Sequence, residues 1–181
     1  MRVEDNSSLT KAINNSDNVI GFINIDPKNF LSTKYGFKKT EKYRAKFLLE
    51  TISDLKSQLD KLNISLIITH KDFGQSINEI IDQFEVTSIY TQTEWTRDEL
   101  KEESFIPKEI NLIKDFDQFL FSPNDVRSLY DSIPRGFSNF RKKCEKYLSV
   151  NDTLSIPIPL NSDNKISIEY PIPSLSDLGF K

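Results

Sequence analysis

The sequence predicts an α/β fold in which a parallel sheet is covered by helices on both faces. Three observations indicate this fold: short apolar runs typical of buried strands, amphipathic helical segments between them, and short polar connections. The chain has 181 residues, enough for one domain with a sizeable core. We therefore expect one domain over residues 1–150 and an extended segment over residues 151–181.

The first part of the chain alternates between helix and strand. A short helix begins after Asp5 and Asn6, which are favourable N-cap residues. Residues 19–25 (VIGFINI) form an apolar run bounded by turn residues, typical of a strand buried on both faces. A long helix is predicted over 41–61 and a strand over 64–69. The apolar stripe of that helix consists of Leu48, Ile52, Leu55, Leu59 and Leu62.

The alternation continues to about residue 113 and then stops. In the last predicted helix we expect Phe137, Phe140, Cys144 and Tyr147 to face the core, because they recur at helical spacing. The predicted elements are a helix over 74–84, a strand over 86–90, a charged helix or turn over 94–105, a strand over 110–113, a loop with a short helix over 116–136 and a helix over 137–148.

The last segment differs in composition from the rest. Residues 151–181 hold four of the eight prolines, in the stretches 155–159 (SIPIP) and 170–173 (YPIP). Because proline removes a backbone donor and disfavours both helix and central strand, we expect an extended connector and not a second domain. We also expect a further domain to follow Lys181.

Charge and cysteine content restrict the class of protein. The net charge of −3 gives no global attraction to nucleic acid. Basic residues cluster at 34–46 and 135–146, and we interpret both clusters as solvated helix faces in preference to a phosphate-binding patch. One cysteine, no secretory signal and no apolar run long enough for a bilayer lead us to expect a cytoplasmic protein that does not bind membranes.

Five stretches resemble motifs of the DASH branch of the cryptochrome/photolyase family. Each motif is weak alone, but together they occur in family order over almost the whole chain. They are residues 2–9 (RVEDNSSL, similar to DLRxxDNxAL), 26–30 (DPKNF, similar to DPRxF), 35–50 (YGFKKTEKYRAKFLLE, similar to YGFPKTGxxRAxFLLES), 140–145 (FRKKCE, similar to FRKxVE) and 173–179 (PSLSDLG, similar to PSLEDLG).

The resemblance implies a Rossmann-like N-terminal photolyase domain. It implies that FAD, the electron-transfer tryptophans and the DNA-lesion pocket belong to a helical C-terminal domain, which residues 1–181 do not contain. DNA would then be reached only through that partner domain. We also expect the family's first strand to be absent from residues 1–181. Three alternatives follow: the true start lies upstream of Met1, another segment fills the place, or the central position of the sheet is empty and the sheet is divided into two half-sheets.

The resemblance further implies an antenna chromophore, usually methenyltetrahydrofolate in this branch. A carboxylate can accept two hydrogen bonds from a pterin ring, and ligands of such folds lie at the carboxyl ends of the strands. We therefore predict Glu94 and Glu99 as pterin acceptors with Trp95 packing nearby, and Arg2 and Asp5 close to the same cleft. No residue is predicted to be catalytic or to bind a metal.

Each of these residues has a structural alternative. Glu99 is equally well explained as a carboxylate in the first turn of a helix, where the helix dipole favours a negative charge. Trp95 is better explained by packing in the core. Asp5 and Asn6 have the alternative of capping the first helix, which we favour for Asn6.

Three functions stay open from the sequence. The favoured one is a light-harvesting module that binds folate and serves a flavin domain in blue-light-dependent DNA repair or photoreception. The second is a truncated or split-gene product that acts only as a structural or interaction module. The third, an independent small α/β enzyme, is least supported, because no catalytic constellation is visible.

Overall fold

The computed structural model describes residues 1–132 and 134–181. Helices and strands alternate up to the fourth strand, and two short helices follow. None of the helices in the described ranges is both long and apolar enough to span a bilayer. The elements are α1 (Ser7–Asn15), β1 (Gly21–Asn24), α2 (Lys42–Asp60), β2 (Leu66–Thr69), α3 (Phe73–Phe84), β3 (Ser88–Gln92), α4 (Arg97–Glu103), β4 (Asn111–Asp115), α5 (Pro123–Ser128) and α6 (Phe137–Tyr147).

The four strands form two separate parallel pairs. β1 pairs with β2 from Gly21 opposite Leu66 onward, and β3 pairs with β4 from Ser88 opposite Asn111 onward. Helix α1 packs on β3 and β4, and α2 packs on β2. The parallel α/β fold is therefore confirmed. The absence of the family's first strand stays a prediction.

The two strands of the first pair differ in burial. Leu66, Ile67 and Ile68 of β2 are buried, whereas all four residues of β1 are only half-buried. The predicted burial of the 19–25 run on both faces is therefore wrong for its central residues, although Val19 and Ile25 at its ends are buried. Both strands have one strand partner in the described part of the chain, and α2 packs on β2.

The predicted stripe of α2 is confirmed as the centre of the core. Ile52, Leu59 and Leu62 are buried, and Leu48 and Leu55 pack against the same cluster. A fully buried isoleucine contributes roughly 1.5–3 kcal/mol relative to an exposed one, so this stripe is a main source of stability.

The segment after α6 is extended but lies on the domain. Asn164 is buried, and its amide makes three hydrogen bonds to the backbone: Nδ2 donates to the carbonyls of Val19 (2.9 Å) and Asn63 (2.7 Å), and Oδ1 accepts from the amide of Val19 (2.8 Å). One side chain thus joins the chain before β1 to the chain before β2.

The C-terminal turn anchors the end of this segment. Leu178 and Phe180 are buried, and the Phe180 ring meets Phe30 edge to face at 6.1 Å between centroids. The Asp177 carboxylate accepts hydrogen bonds from the amide and the hydroxyl of Ser174, both at 2.7 Å, which lowers the pKa of Asp177. The turn closes at Gly179, whose φ of +79° suits glycine.

Helix α6 departs from the sequence prediction. Cys144 is buried as expected, and Phe140 is half-buried, but Phe137 and Tyr147 are 74% and 58% exposed. The prediction that Phe137 and Tyr147 face the core is therefore wrong, because no described element covers that side of the helix.

Replacing Asn164 tests how much the extended segment contributes to the fold. Asn164→Ala removes the partner of the buried backbone groups of Val19 and of the half-buried Asn63 carbonyl, so we expect the free energy of unfolding to fall by about 3 kcal/mol. Urea denaturation measures this loss. Ser162→Ala, a change at an exposed neighbour, is the control and should stay within about 0.5 kcal/mol of the wild type. An equal effect of the two substitutions would contradict the structural role of Asn164.

The C-terminal turn should weaken in acid. Because the pKa of Asp177 is lower in the folded chain than in the unfolded one, its stabilising effect is complete above the ordinary carboxyl pKa. The effect is lost as the pH falls through the lowered pKa. The stability difference between the wild type and Asp177→Asn should therefore be present at neutral pH and shrink in acid. A difference that does not change with pH would contradict this assignment.

Candidate functional site

An apolar cleft lies at the carboxyl ends of β3 and β4. Parallel strands end at the same edge of their sheet, so the loops after both strands meet there. The Thr93 amide continues the ladder by donating to the Asp115 carbonyl at 2.7 Å. The cleft has a volume of about 380 Å³ and is lined by Trp95, Phe119, Leu120, Phe121, Pro123, Val126 and Phe140.

Trp95 is the largest side chain of this cleft. Its indole stacks on the Phe116 ring at 5.7 Å and 21° and meets Phe119 edge to face at 5.9 Å. It is nevertheless 46% exposed. Aromatic packing therefore accounts for part of the indole, and the rest borders the cleft.

Glu94 lies next to the same loop. The side chain is half-buried, and its Oε1 accepts a hydrogen bond from Nε2 of Gln118 at 3.1 Å. Gln118 belongs to the loop after β4, which carries the cleft residues Phe119 and Phe121. The carboxylate is thus held beside the cleft without being part of its apolar lining.

Glu99 lies away from the cleft lining. It is exposed in the first turn of α4, where a carboxylate suits the helix dipole. Burial raises the pKa of Glu102, and the negative charges of Asp26 and Glu99 raise it further. Glu99 therefore lies near Glu102, a second carboxylate of α4. Its role as a pterin acceptor stays a prediction.

Arg2 and Asp5 bind each other. The Arg2 guanidinium donates to the Asp5 carbonyl at 2.8 Å and to its carboxylate at 3.1 Å. Asp5 also exchanges hydrogen bonds with the backbone of Leu154. Neither residue lines the cleft.

The start of α1 is nevertheless attached to the loop after β4. Asn6 is the N-cap of α1, as we favoured, and accepts from the Leu9 amide at 2.9 Å. The amide and hydroxyl of Ser7 donate to the Asp117 carboxylate at 2.7 and 2.6 Å. Arg2 and Asp5 are therefore close in sequence to Ser7, which binds the loop after β4.

A second cleft adjoins the first and was not predicted. Its volume is about 550 Å³, and it shares Val126 and Phe140 with the apolar cleft. Of its polar lining residues, Arg135 alone had been singled out in the sequence, as the first residue of the second basic cluster. The remaining lining residues are Arg127, Tyr130, Asp131, Ser132, Pro134, Arg135 and Phe137.

The residues present fit a flat aromatic ligand. The apolar cleft offers ring faces and edges at a volume within the range of small-molecule sites. Glu94 supplies a carboxylate nearby that can accept hydrogen bonds from ring nitrogens. The arrangement is suited to binding and orienting a ring.

The stacking of Trp95 on Phe116 can be tested by fluorescence, because Trp95 is the only tryptophan. Phe116→Ala removes the stacked ring and admits water to the indole, so we expect the emission maximum to move to longer wavelength. The matched control is Phe47→Ala, a change at a 70% exposed phenylalanine of α2. An emission maximum that is the same in the wild type and Phe116→Ala would show that the two rings do not stack.

Comparison of sequences gives a consistent set of relatives. The cryptochrome DASH of Gloeobacter violaceus is 28% identical over 186 residues, which cover 100% of this chain and 37% of that protein. The cryptochrome DASH of Xenopus laevis is 27% identical, covering 98% of this chain and 35% of that protein. The chain thus spans little more than a third of the length of these relatives.

Solved structures show the same fold. The cryptochrome of Synechocystis sp. PCC6803 superposes with a TM-score of 0.84 at 27% identity, over 99% of this chain and 38% of that one. An archaeal photolyase from Sulfolobus tokodaii shares the fold with a TM-score of 0.72 at 19% identity, over 98% of this chain and 38% of that one. The sequence model of the DNA photolyase family matches residues 1–160, and the chain therefore belongs to that family.

Proposed function

We propose that this chain is the antenna domain of a DASH-type cryptochrome/photolyase and binds methenyltetrahydrofolate in the apolar cleft. The observation that carries the proposal is the half-exposed indole of Trp95 beside a 380 Å³ cleft with four further aromatic or proline rings in its lining. The cleft lies at the carboxyl edge of a parallel strand pair, and α/β folds place ligands at this edge.

The residues of the cleft would bind and orient the chromophore. Trp95 and Phe119 offer aromatic surface for the pterin ring, and Glu94 would accept hydrogen bonds from its ring nitrogens. Leu120, which is 69% exposed, would be covered by the ligand and would exclude water from it. The bound folate would supply absorption of near-ultraviolet light and transfer of the excitation to a flavin.

The partner in this proposal is a helical flavin-binding domain. The chain spans 37% of the Gloeobacter relative, so light-dependent DNA repair or photoreception would be a property of the assembled protein. FAD and DNA would bind through that second domain. The residues of this chain would contribute chromophore binding and the contact with the partner.

A structural or interaction module is the second candidate. The observation that favours it is a set of exposed aromatic side chains far along the sequence from the cleft loops: Tyr43 and Phe47 on α2 are 85% and 70% exposed. Exposed apolar surface of this kind marks contact with another protein. This function needs no chromophore.

Titration with methenyltetrahydrofolate separates the two candidates. The antenna function predicts a saturable, shifted near-ultraviolet absorbance band and quenching of Trp95 emission. For Trp95→Leu we expect weaker binding by about tenfold, because an aromatic contact is replaced by a smaller apolar one. Phe47→Leu is the matched control and should bind as the wild type does. Absence of a saturable band in the wild-type chain would overturn the antenna function and leave the interaction module.

A further inference from the structure

We infer that residues 31–47 form a docking surface for a partner protein, and that the segment which binds there is acidic and carries apolar side chains. This surface joins the loop after β1 to the first turns of α2, and we call it the basic aromatic surface. None of its residues lines the apolar cleft, so the inference is independent of the antenna function. Its apolar members are Leu31, Tyr35, Phe37, Tyr43 and Phe47.

The first step is the exposure of these five side chains. The least exposed of them, Phe37, is still 61% exposed. A solvated helix face does not account for four aromatic rings in one short stretch of chain. Exposed apolar surface marks contact with another molecule, and aromatic residues are enriched at protein interfaces.

The second step is that a hydrogen-bonded turn over 33–37 holds two of the rings. The Thr33 amide donates to the Phe37 carbonyl at 2.8 Å, and the Gly36 amide donates to the Thr33 carbonyl at 3.1 Å. Gly36 has a φ of +83°, which suits glycine. The rings of Tyr35 and Phe37 stack at 6.1 Å and 18°. Because the turn is already ordered, binding a partner there costs less conformational entropy.

The third step is that α2 supplies the other two rings. Tyr43 and Phe47 are four residues apart, so they lie on one side of the helix about 6 Å apart along its axis. The opposite side of the helix carries the buried Ala45 and Ile52. Packing of these two residues in the core fixes the helix and directs both rings outward.

The charge of the basic aromatic surface determines the sign of the partner. Residues 34–46 contain six basic residues and one acidic residue, although the chain as a whole has a net charge of −3. A basic partner would be repelled from this surface, whereas an acidic one would be attracted and oriented by it.

Three of the basic side chains are placed to meet acidic groups. Lys34, Lys42 and Arg44 are exposed, and they form no ion pair in the described part of the chain. The Lys34 ammonium lies over the Tyr35 ring at 5.0 Å, next to the stacked pair. The other three are engaged within the chain: Lys38 lies over the Phe180 ring, Lys39 pairs with Asp98, and Lys46 pairs with Glu50.

The balance of charge and apolar surface favours a protein segment over a nucleic acid. Three cations neutralise few phosphates, and a chain with a net charge of −3 repels a long polyanion. The five exposed apolar side chains instead offer surface that a partner can bury. An acidic segment with apolar side chains uses both properties of the surface.

Fluorescence anisotropy with defined peptides tests the inference on the full 181-residue chain. The probe is a fluorescein-labelled peptide of about 20 residues, long enough to form a helix, in which leucine and phenylalanine recur at helical spacing among glutamate and alanine. We expect saturable binding that weakens by about tenfold as salt is raised, because charge attraction is screened. A peptide with lysine in place of glutamate, and one of glutamate and alanine alone, should each bind about tenfold more weakly.

Two double variants separate the apolar contribution from the charged one. Tyr43→Ser with Phe47→Ser removes two rings, and Lys42→Glu with Arg44→Glu reverses two charges. Each should weaken binding of the acidic probe by about tenfold. All four positions are exposed, so circular dichroism should show an unchanged fold. The matched control is Lys142→Glu with Lys146→Glu, the same reversal in the second basic cluster, which should bind as the wild type does.

Failure of the acidic probe to bind, or binding that persists in either double variant, would overturn this inference. Tighter binding of vesicles that contain phosphatidylglycerol, or of a thymidine oligonucleotide, would overturn it in favour of a lipid surface or a nucleic acid. Self-association of the chain that Tyr43→Ser with Phe47→Ser abolishes would assign the surface to a second copy instead. The titration with methenyltetrahydrofolate does not depend on any of these results, so the antenna function is tested separately.

Discussion

The parallel pairing of β3 with β4 is the interaction on which the candidate site depends. The ladder runs from Ser88 opposite Asn111 to Gln92 opposite Asp115, and the Thr93 amide extends it by one more bond. This register fixes where the two loops leave the sheet, so that the indole of Trp95 reaches the ring of Phe116. The position of the cleft therefore follows from the backbone pairing, which also determines where the loops with its aromatic residues begin.

The divided sheet explains why contacts outside the strands matter for this domain. A two-stranded pair is marginally stable alone, so each half needs cover. The α2 stripe covers the first pair, and α1 packs on the second, where Lys11 pairs with Asp115 and Ser7 with Asp117. The extended segment also stabilises the first pair, because Asn164 makes hydrogen bonds to the backbone that precedes each of its two strands.

The sequence predicts those parts of the structure that depend on local pattern. The α2 stripe, the order of the elements and the burial of Cys144 follow from periodicity, which reports the apolar face of a helix. Periodicity does not report whether another element covers that face, which is why Phe137 and Tyr147 are exposed against expectation. The second cleft was missed for a related reason: its lining comes from an irregular loop and two helix ends, whose meeting is a tertiary property.

The proposed antenna function would need a group that orients the chromophore as well as an apolar cleft that binds it. Stacking on rings such as Trp95 contributes only about 1 kcal/mol per pair beyond burial, and it leaves a ring free to turn or slide. Energy transfer depends on the distance and orientation of the chromophore, so a polar group beside the cleft would have a specific use. Glu94 is held by Nε2 of Gln118 at 3.1 Å, and its carboxylate would fix the direction of the ring through hydrogen bonds to the ring nitrogens.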